Sequence, residues 1–156
     1  MAELAEETAG PPVSDDRSIA IVEAVADDEA ELVALWNASG LTRPWNDPAA
    51  DFRRALSWPG STILVVRDEG GIAGSAMVGY DGHRGWVYYL AVAERRRRCG
   101  LGRWLMDAAQ AWLVARGAPK VQLMVRDDNH EAVAFHRALG LETQKVATLG
   151  RFLGDD

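Results

Sequence analysis

Six consecutive residues, Arg97-Arg98-Cys99-Gly100-Leu101-Gly102, hold the most concentrated chemistry in the chain. Glycines at alternate positions let the backbone turn tightly with little side-chain obstruction. An amphipathic helical pattern follows directly, so the amides of the turn and the positive end of a helix dipole converge on one place. The flanking arginines add permanent charge, and the spacing is that of a phosphate-binding turn. No G-x-x-x-x-G-K-[ST] is present, and a dinucleotide fingerprint read from Gly100-x-Gly102 puts Leu105 where a third Gly or Ala is wanted. An ordinary nucleotide-binding fold is therefore disfavoured.

A second group of polar and aromatic residues precedes the turn. Arg43, Trp45 and Asn46 lie in one loop segment, and Asp81, His83 and Arg84 lie in another, just ahead of an apolar run at 86–93 that contains Tyr88. Arginines can receive a carboxylate bidentately while an acidic side chain holds an ammonium. The set suits recognition of an amino-acid-like amine, and it also suits plain bracing of loops, since Asp81-Gly82 is ordinary turn chemistry.

Composition narrows the class. With 156 residues, 48% of them hydrophobic, the chain fits one globular domain over 18–156 that buries a core without staples. A net charge of −6 argues against general nucleic-acid affinity, because backbone binding needs many Lys and Arg on one face. The run Arg95 to Arg98 is the dense exception. A single cysteine, Cys99, excludes an intramolecular disulfide and fits a reducing compartment. Residues 1–17 read as a flexible acidic tail with no basic n-region or apolar h-region. No apolar run reaches the roughly 20 residues a membrane helix needs. A soluble cytoplasmic protein with no membrane or nucleic-acid partner and no metal is the expectation.

The elements that must position these groups follow from pattern. Residues 19–25 read as a first strand, and Asp27 or Asp28 can cap a helix with Leu32, Leu35 and Trp36 on its apolar face. Asp47-Pro48 is a cap followed by Pro at the first helical position. Runs at 62–67 and 72–78 flank Asp68-Glu69-Gly70-Gly71 and make a hairpin. The nearly continuous apolar run at 86–93 predicts a central strand covered on both faces. The helix after the turn puts Leu101, Leu105, Ala108, Ala109, Trp112 and Leu113 on one stripe and ends at Arg116-Gly117. A strand at 121–125 then implies a right-handed crossover with parallel strands. Asp128 or Asn129 caps a last helix carrying Ala132, Phe135 and Leu139, and 141–153 leaves room for two short strands. The sum is an α/β domain with a mixed sheet and a single βαβ unit.

Three places together resemble the GCN5-related N-acetyltransferase superfamily. Arg97, Gly100 and Gly102 match its R/Q-x-x-G-x-G/A signature. The stretch Asn-His-Glu-Ala-Val-Ala-Phe-His-Arg-Ala-Leu-Gly-Leu from Asn129 is similar to its N-x-x-A-x-x-x-Y-x-x-x-G-F/Y pattern, and the strand at 86–93 completes the set. Arg43-Pro44-Trp45-Asn46-Asp47-Pro48 and the loop from Gly79 to Gly85 look like the YpeA-type branch. The resemblance covers about 19–153. It implies a mostly antiparallel sheet with one parallel β-α-β unit flanked by about four helices.

The resemblance also implies acetyl coenzyme A as co-substrate and an amine of a small molecule or peptide as acceptor. Arg97, Arg98, Cys99, Gly100, Leu101 and Gly102 would hold the pyrophosphate. Leu90, Ala91 and Val92, on a strand diverging from its neighbour, would bond the pantetheine arm like an added strand. Asn129 would position the arm near the thioester, as well as capping its helix. A backbone amide near Val92 would meet the oxyanion. His136 stands where the family's Tyr, the usual acid for the departing thiolate, is expected; an imidazolium could donate that proton. Asp81, His83 and Tyr88 are the candidates for deprotonating the acceptor, whose ammonium has a pKa near 10. Cys99, in the pyrophosphate turn, lies too far along an extended arm for an acetyl-cysteine scheme, which favours direct transfer. Two other classes stay open: a sensor that binds acetyl coenzyme A without turnover, and a turn serving another phosphorylated ligand or RNA. Exposed sheet edges leave room for a homodimer.

Overall fold

The computed structural model describes residues 19–154, so the tail expected over 1–17 lies outside them. The elements are β1 (Ala20–Glu23), α1 (Glu29–Ala38), α2 (Pro48–Ser57), β2 (Ser61–Asp68), β3 (Gly71–Tyr80), β4 (Gly85–Val92), α3 (Leu101–Ala115), β5 (Val121–Leu123) and α4 (His130–Ala138). Strands β1 to β5 form one sheet in chain order, antiparallel from β1 to β4 and parallel between β4 and β5. This is the mixed, mostly antiparallel α/β fold with one β-α-β unit. Two compact units are present, one ending at Met124 with the sheet and α1 to α3, the other beginning at Val125 with α4. No described helix is long and apolar enough to cross a membrane.

Local chemistry sets most boundaries. Asp47 accepts the Ala50 N–H at 3.1 Å and Pro48 opens α2; Asn129 accepts the Ala132 N–H at 3.1 Å and starts α4. The start of α1 departs from expectation. Asp28 stands at the cap position, but its buried carboxylate accepts from the Val25 N–H at 2.8 Å and from Arg67 Nη1 at 2.7 Å, tying the helix start to β2 instead of capping it. Those bonds, Arg67's first, hold its carboxyl below the usual range despite burial.

Helices cover both faces of the sheet. On one face Leu32, Trp36 and Phe52 of α1 and α2 pack with Ile63, Val65, Ile72 and Ala91. On the other, Leu101, Leu105, Met106, Ala109 and Leu113 of α3 are buried. Burying each such aliphatic side chain is worth roughly 1.5–3 kcal/mol. The helix comes so close that a Cβ on Gly85 would lie 2.5 Å from Leu113 Cδ1, which is why β4 begins with glycine.

Two expectations are corrected. The central place goes to β3, and β4 lies one strand from the end with Tyr88 41% exposed, because β5 supplies a neighbour for only three residues. Residues 142–154 form no strand. Their apolar members Val146, Leu149, Phe152 and Leu153 do not recur at every second position, so no strand face exists to bury, and all four are exposed.

Candidate active site

The pairing of β4 changes abruptly along its length. Gly85, Trp86 and Val87 pair with Val121, Gln122 and Leu123, and past Val87 no described strand lies on that side. On the other side the register with β3 jumps: Tyr88 faces Met77 and Ala91 faces Ser75, so Tyr89 and Leu90 together stand opposite Ala76. This is a β-bulge, and it holds Tyr89 at φ +50°, an uncommon conformation for a side chain of that size.

Buried groups hold the bulge. Trp36 Nε1 donates to Ser75 Oγ at 2.9 Å, and Ser75 Oγ donates to the Tyr89 carbonyl at 2.9 Å. The Tyr89 ring stacks on Trp36 with centroids 4.0 Å apart, and its hydroxyl donates to Asp51 Oδ2 at 2.6 Å. Strain at a single residue persists where its surroundings over-determine it. Beyond the bulge the Ala93 N–H bonds the Ala73 carbonyl at 2.7 Å. Alternation along a strand then turns the main-chain groups of Leu90 and Val92 away from β3. One of them, the Val92 carbonyl, accepts from Arg97 Nε at 3.3 Å.

The arginine turn follows at once. Gly100 has φ +84°, the left-handed conformation that lets the chain enter α3, and Arg98 has φ +63°. The first amide of this helix to find an acceptor is that of Trp104, which bonds the Gly100 carbonyl at 3.0 Å. The amides between Arg98 and Arg103 carry no bond among the described residues, as the first turn of a helix without a side-chain cap must leave them. Cys99 Sγ donates to the Arg96 carbonyl, inside the turn. Arg95 and Arg96 belong elsewhere: they bond the two oxygens of Asp68, whose side chain is 2% exposed, at 2.6 and 2.7 Å.

A cleft of about 660 Å³ opens on the α2 side of β3 and β4. Asp51 and Arg54 of α2 and Trp58, just past its end, line it with Met77, Tyr88 and Tyr89 of the strands. Because of the bulge, two consecutive tyrosines serve one face. Burial raises the Tyr88 phenol, helped by the charge of Asp81; burial and then the bond to Asp51 raise that of Tyr89. At neutral pH both phenols are protonated, which makes them donors rather than bases.

The expected acceptor residues lie in closed loops. Asp81 accepts from the amides of Arg84 at 2.7 Å and His83 at 2.8 Å and from Trp86 Nε1 at 3.2 Å, bonds that keep its carboxyl below the usual range. Arg84 Nη1 donates to the His83 carbonyl at 3.0 Å, and Arg43 Nη1 donates to the carbonyls of Gly40 and Thr42. Trp45 is 57% exposed and Asn46 is exposed. Of the residues singled out in the sequence, only Tyr88 lines the cleft.

A family model, Acetyltransferase (GNAT) family, matches residues 30–141. The chain belongs to this family. An acetyltransferase of Pectobacterium atrosepticum is 42% identical over 130 residues, which cover 83% of this chain and 92% of that one. An acetyltransferase of Yersinia pestis is 42% identical over 127 residues, 81% of this chain and 90% of that one. Among solved structures, the aminoglycoside N-acetyltransferase AAC(6')-Iy in complex with CoA superposes with a TM-score of 0.75 at 17% identity, over 91% of this chain and 99% of that one. A Bacillus halodurans protein does so with a TM-score of 0.67 at 27% identity, over 85% and 99%.

The family's third motif lies in the second unit. Asn129 caps α4 through its carbonyl oxygen, which leaves its NH2 group uncommitted among the described residues. His136, in the place of the GNAT tyrosine, is half-buried and edge-on to Phe135 with centroids 5.0 Å apart. Its Nδ1 has no partner among the described residues, and burial pushes the imidazole below its usual value. It is neutral at pH 7, and a neutral imidazole is a far weaker acid than the imidazolium.

Reading the sequence missed Asp51, Arg54, Trp58, Tyr89 and the Trp36–Ser75 pair. Signals were present for some. Ser75 is a polar residue inside an apolar strand, and Asp51 and Arg54 recur at i and i+3 on one face of α2, with Trp58 at its end.

Proposed function

We propose that this chain transfers the acetyl group of acetyl coenzyme A directly to a primary amine of a small molecule or peptide, acting as one acetyltransferase domain over 18–156. A reducing, cytoplasmic setting suits its single cysteine. The observation that carries the reading is the succession of two stretches of main-chain donors without a partner. The outward amides of Leu90 and Val92 on the open edge of β4 and the amides of Arg98 to Arg103 are separated by one bonded 3-10 turn, Glu94–Arg96, so both lie in order along the path of a long ligand with a polar arm and a phosphate end.

In this reading the amides from Arg98 to Gly102 take the pyrophosphate, with the Arg97 and Arg98 side chains beside it. Leu90, Ala91 and Val92 bond the arm. An outward N–H near Val92 meets the oxyanion as the amine nitrogen attacks the thioester carbon. The acceptor's ammonium loses one proton to solvent before attack. As the N–C bond completes and the C–S bond breaks, a second proton leaves nitrogen and the thiolate takes one up. Tyr88, kept protonated by burial beside the cleft, suits that donation better than it suits the role of base.

Calorimetric titration with acetyl coenzyme A tests the reading. Binding near micromolar in the parent should weaken by at least about a hundredfold in Gly100→Trp, because a large side chain is forced into the left-handed conformation at the mouth of the turn. A parent that does not bind acetyl coenzyme A overturns the proposal. Binding without acetylation of any amine would favour the sensor reading, to which His136 in place of tyrosine lends support.

A further inference from the structure

Asp51, Arg54 and Ala55 line the cleft because positions i, i+3 and i+4 share one face of α2, and Trp58, the residue that ends the helix, lines it beside them. Their chemistry is unusually divided. Asp51 and Arg54 are the two charged residues of the lining and form an ion pair of 2.8 Å, so the cleft holds one charge of each sign side by side. Neither is saturated. Asp51 Oδ1 accepts from Arg54 and Oδ2 from the Tyr89 hydroxyl at 2.6 Å, yet an ionised carboxylate offers about four acceptor positions. Arg54 spends one guanidinium nitrogen on this pair, its side chain is 72% exposed, and a guanidinium has about five N–H donors.

Next to the pair stand two aromatic side chains that the protein leaves uncovered, Trp58 at 67% and Tyr88 at 41% exposure. Met77, Val78 and Gly79 line the β3 side. The cleft reaches β4 at Tyr88 and Tyr89, where pairing with β5 has ended and the open edge begins.

We infer that the acceptor is a free α-amino acid with an apolar or aromatic side chain, its ammonium on Asp51, its carboxylate on Arg54 and its side chain against Trp58 and Tyr88. This rests on the acetyl-transfer reading and narrows its acceptor. A zwitterion lays its two charges antiparallel to the protein's own pair, so every charge gains a partner. A simple amine would leave its cation facing Arg54, and a polycation would meet that repulsion with a single carboxylate in compensation. Tyr89 holds the Asp51 carboxylate to the bulge, fixing the acceptor nitrogen relative to the open edge of β4. The product is the N-acetyl amino acid, with the new N–C bond replacing the C–S bond and the free thiol carrying a proton.

Initial rates with acetyl coenzyme A should separate L-phenylalanine from 2-phenylethylamine, which differ by the carboxylate alone. The parent should favour phenylalanine by about tenfold or more in kcat/KM. Arg54→Gln should bring the ratio near one by raising KM for phenylalanine only, and Asp51→Asn should raise KM for both. Acetyl coenzyme A affinity, measured by calorimetry, should hold in both variants. A parent that uses the two amines equally, or an Arg54→Gln protein that keeps the preference, overturns the inference. Failure of the parent to bind acetyl coenzyme A overturns the acetyl-transfer reading instead; titration with phenylalanine alone then decides the cleft, Asp51-dependent binding supporting the assignment and no binding overturning it.

Discussion

Four arginines in succession meet two different fates. Arg95 and Arg96 reach back 27 and 28 residues to Asp68 and enclose its carboxylate, while the Arg97 side chain bonds the Val92 carbonyl and the Arg98 side chain makes no ion pair or hydrogen bond among the described residues. Burial works to raise Asp68, but the bonds from Arg96 and the Gly70 amide and the charges of both arginines outweigh it and leave the carboxyl below the usual range. The first pair therefore stabilises the hairpin end of β2 and β3 against the strand-to-helix turn. The second pair stays available to a ligand. Charge density in the sequence is a poor guide to binding; what separates the two pairs is whether the fold supplies a counter-charge.

The sharpest way to break this division is Asp68→Asn. Leaving two guanidinium groups without their carboxylate should cost about 2 kcal/mol, a fall in Tm of roughly 4–8 °C in thermal unfolding, with acetyl coenzyme A affinity little changed. The sign of the pH effect follows from the same shift. Because the folded carboxyl lies below its unfolded value, its contribution is complete above about pH 5 and drains away as pH falls through the folded value; Asp68→Asn should lack that acid-dependent loss. A variant that keeps its stability but loses the ligand would move Arg95 and Arg96 into the binding group.

Arg98→Gln probes the other pair. Affinity for acetyl coenzyme A should fall by roughly three- to tenfold, with a weaker salt dependence and an unchanged Tm. A matching fall in Tm would mean that Arg98, too, belongs to the fold. The smallest effect is expected from Asp81→Ala, which opens a loop in which the His83 and Arg84 amides and the Trp86 indole converge on one carboxylate. A slight drop in Tm with unchanged KM for the amine would class this loop with Asp68; a raised KM would make it part of acceptor recognition.

The parts of the fold legible in the sequence are those decided within a few residues. Asp47-Pro48, Asn129 and the stripe on α3 are local signals, and each marks an element of the structure. The turn at Gly100 was legible for the same reason. The site residues that escaped depend on partners far along the chain: Trp36 meets Ser75 across 39 residues and Tyr89 meets Asp51 across 38. Tyr89 was hidden further, because regular alternation would send it to the face opposite Tyr88. Asp51 and Arg54 read as an ordinary helical charge pair until the strand bearing the tyrosines is placed beside them.

That bulge makes parity a property of this protein. Residues of β4 before Tyr89 and those after it obey the same two-residue rhythm but are out of step by one, so the odd-numbered positions change sides midway. Deleting a single residue between Val87 and Leu90 would restore one rhythm throughout, at little cost in apolar content. It would leave the backbone of Leu90 and Val92 facing outward but take away one of the two tyrosines that the bulge brings to the α2 side. The strand would be more regular, and the cleft would keep one phenol where it now has two.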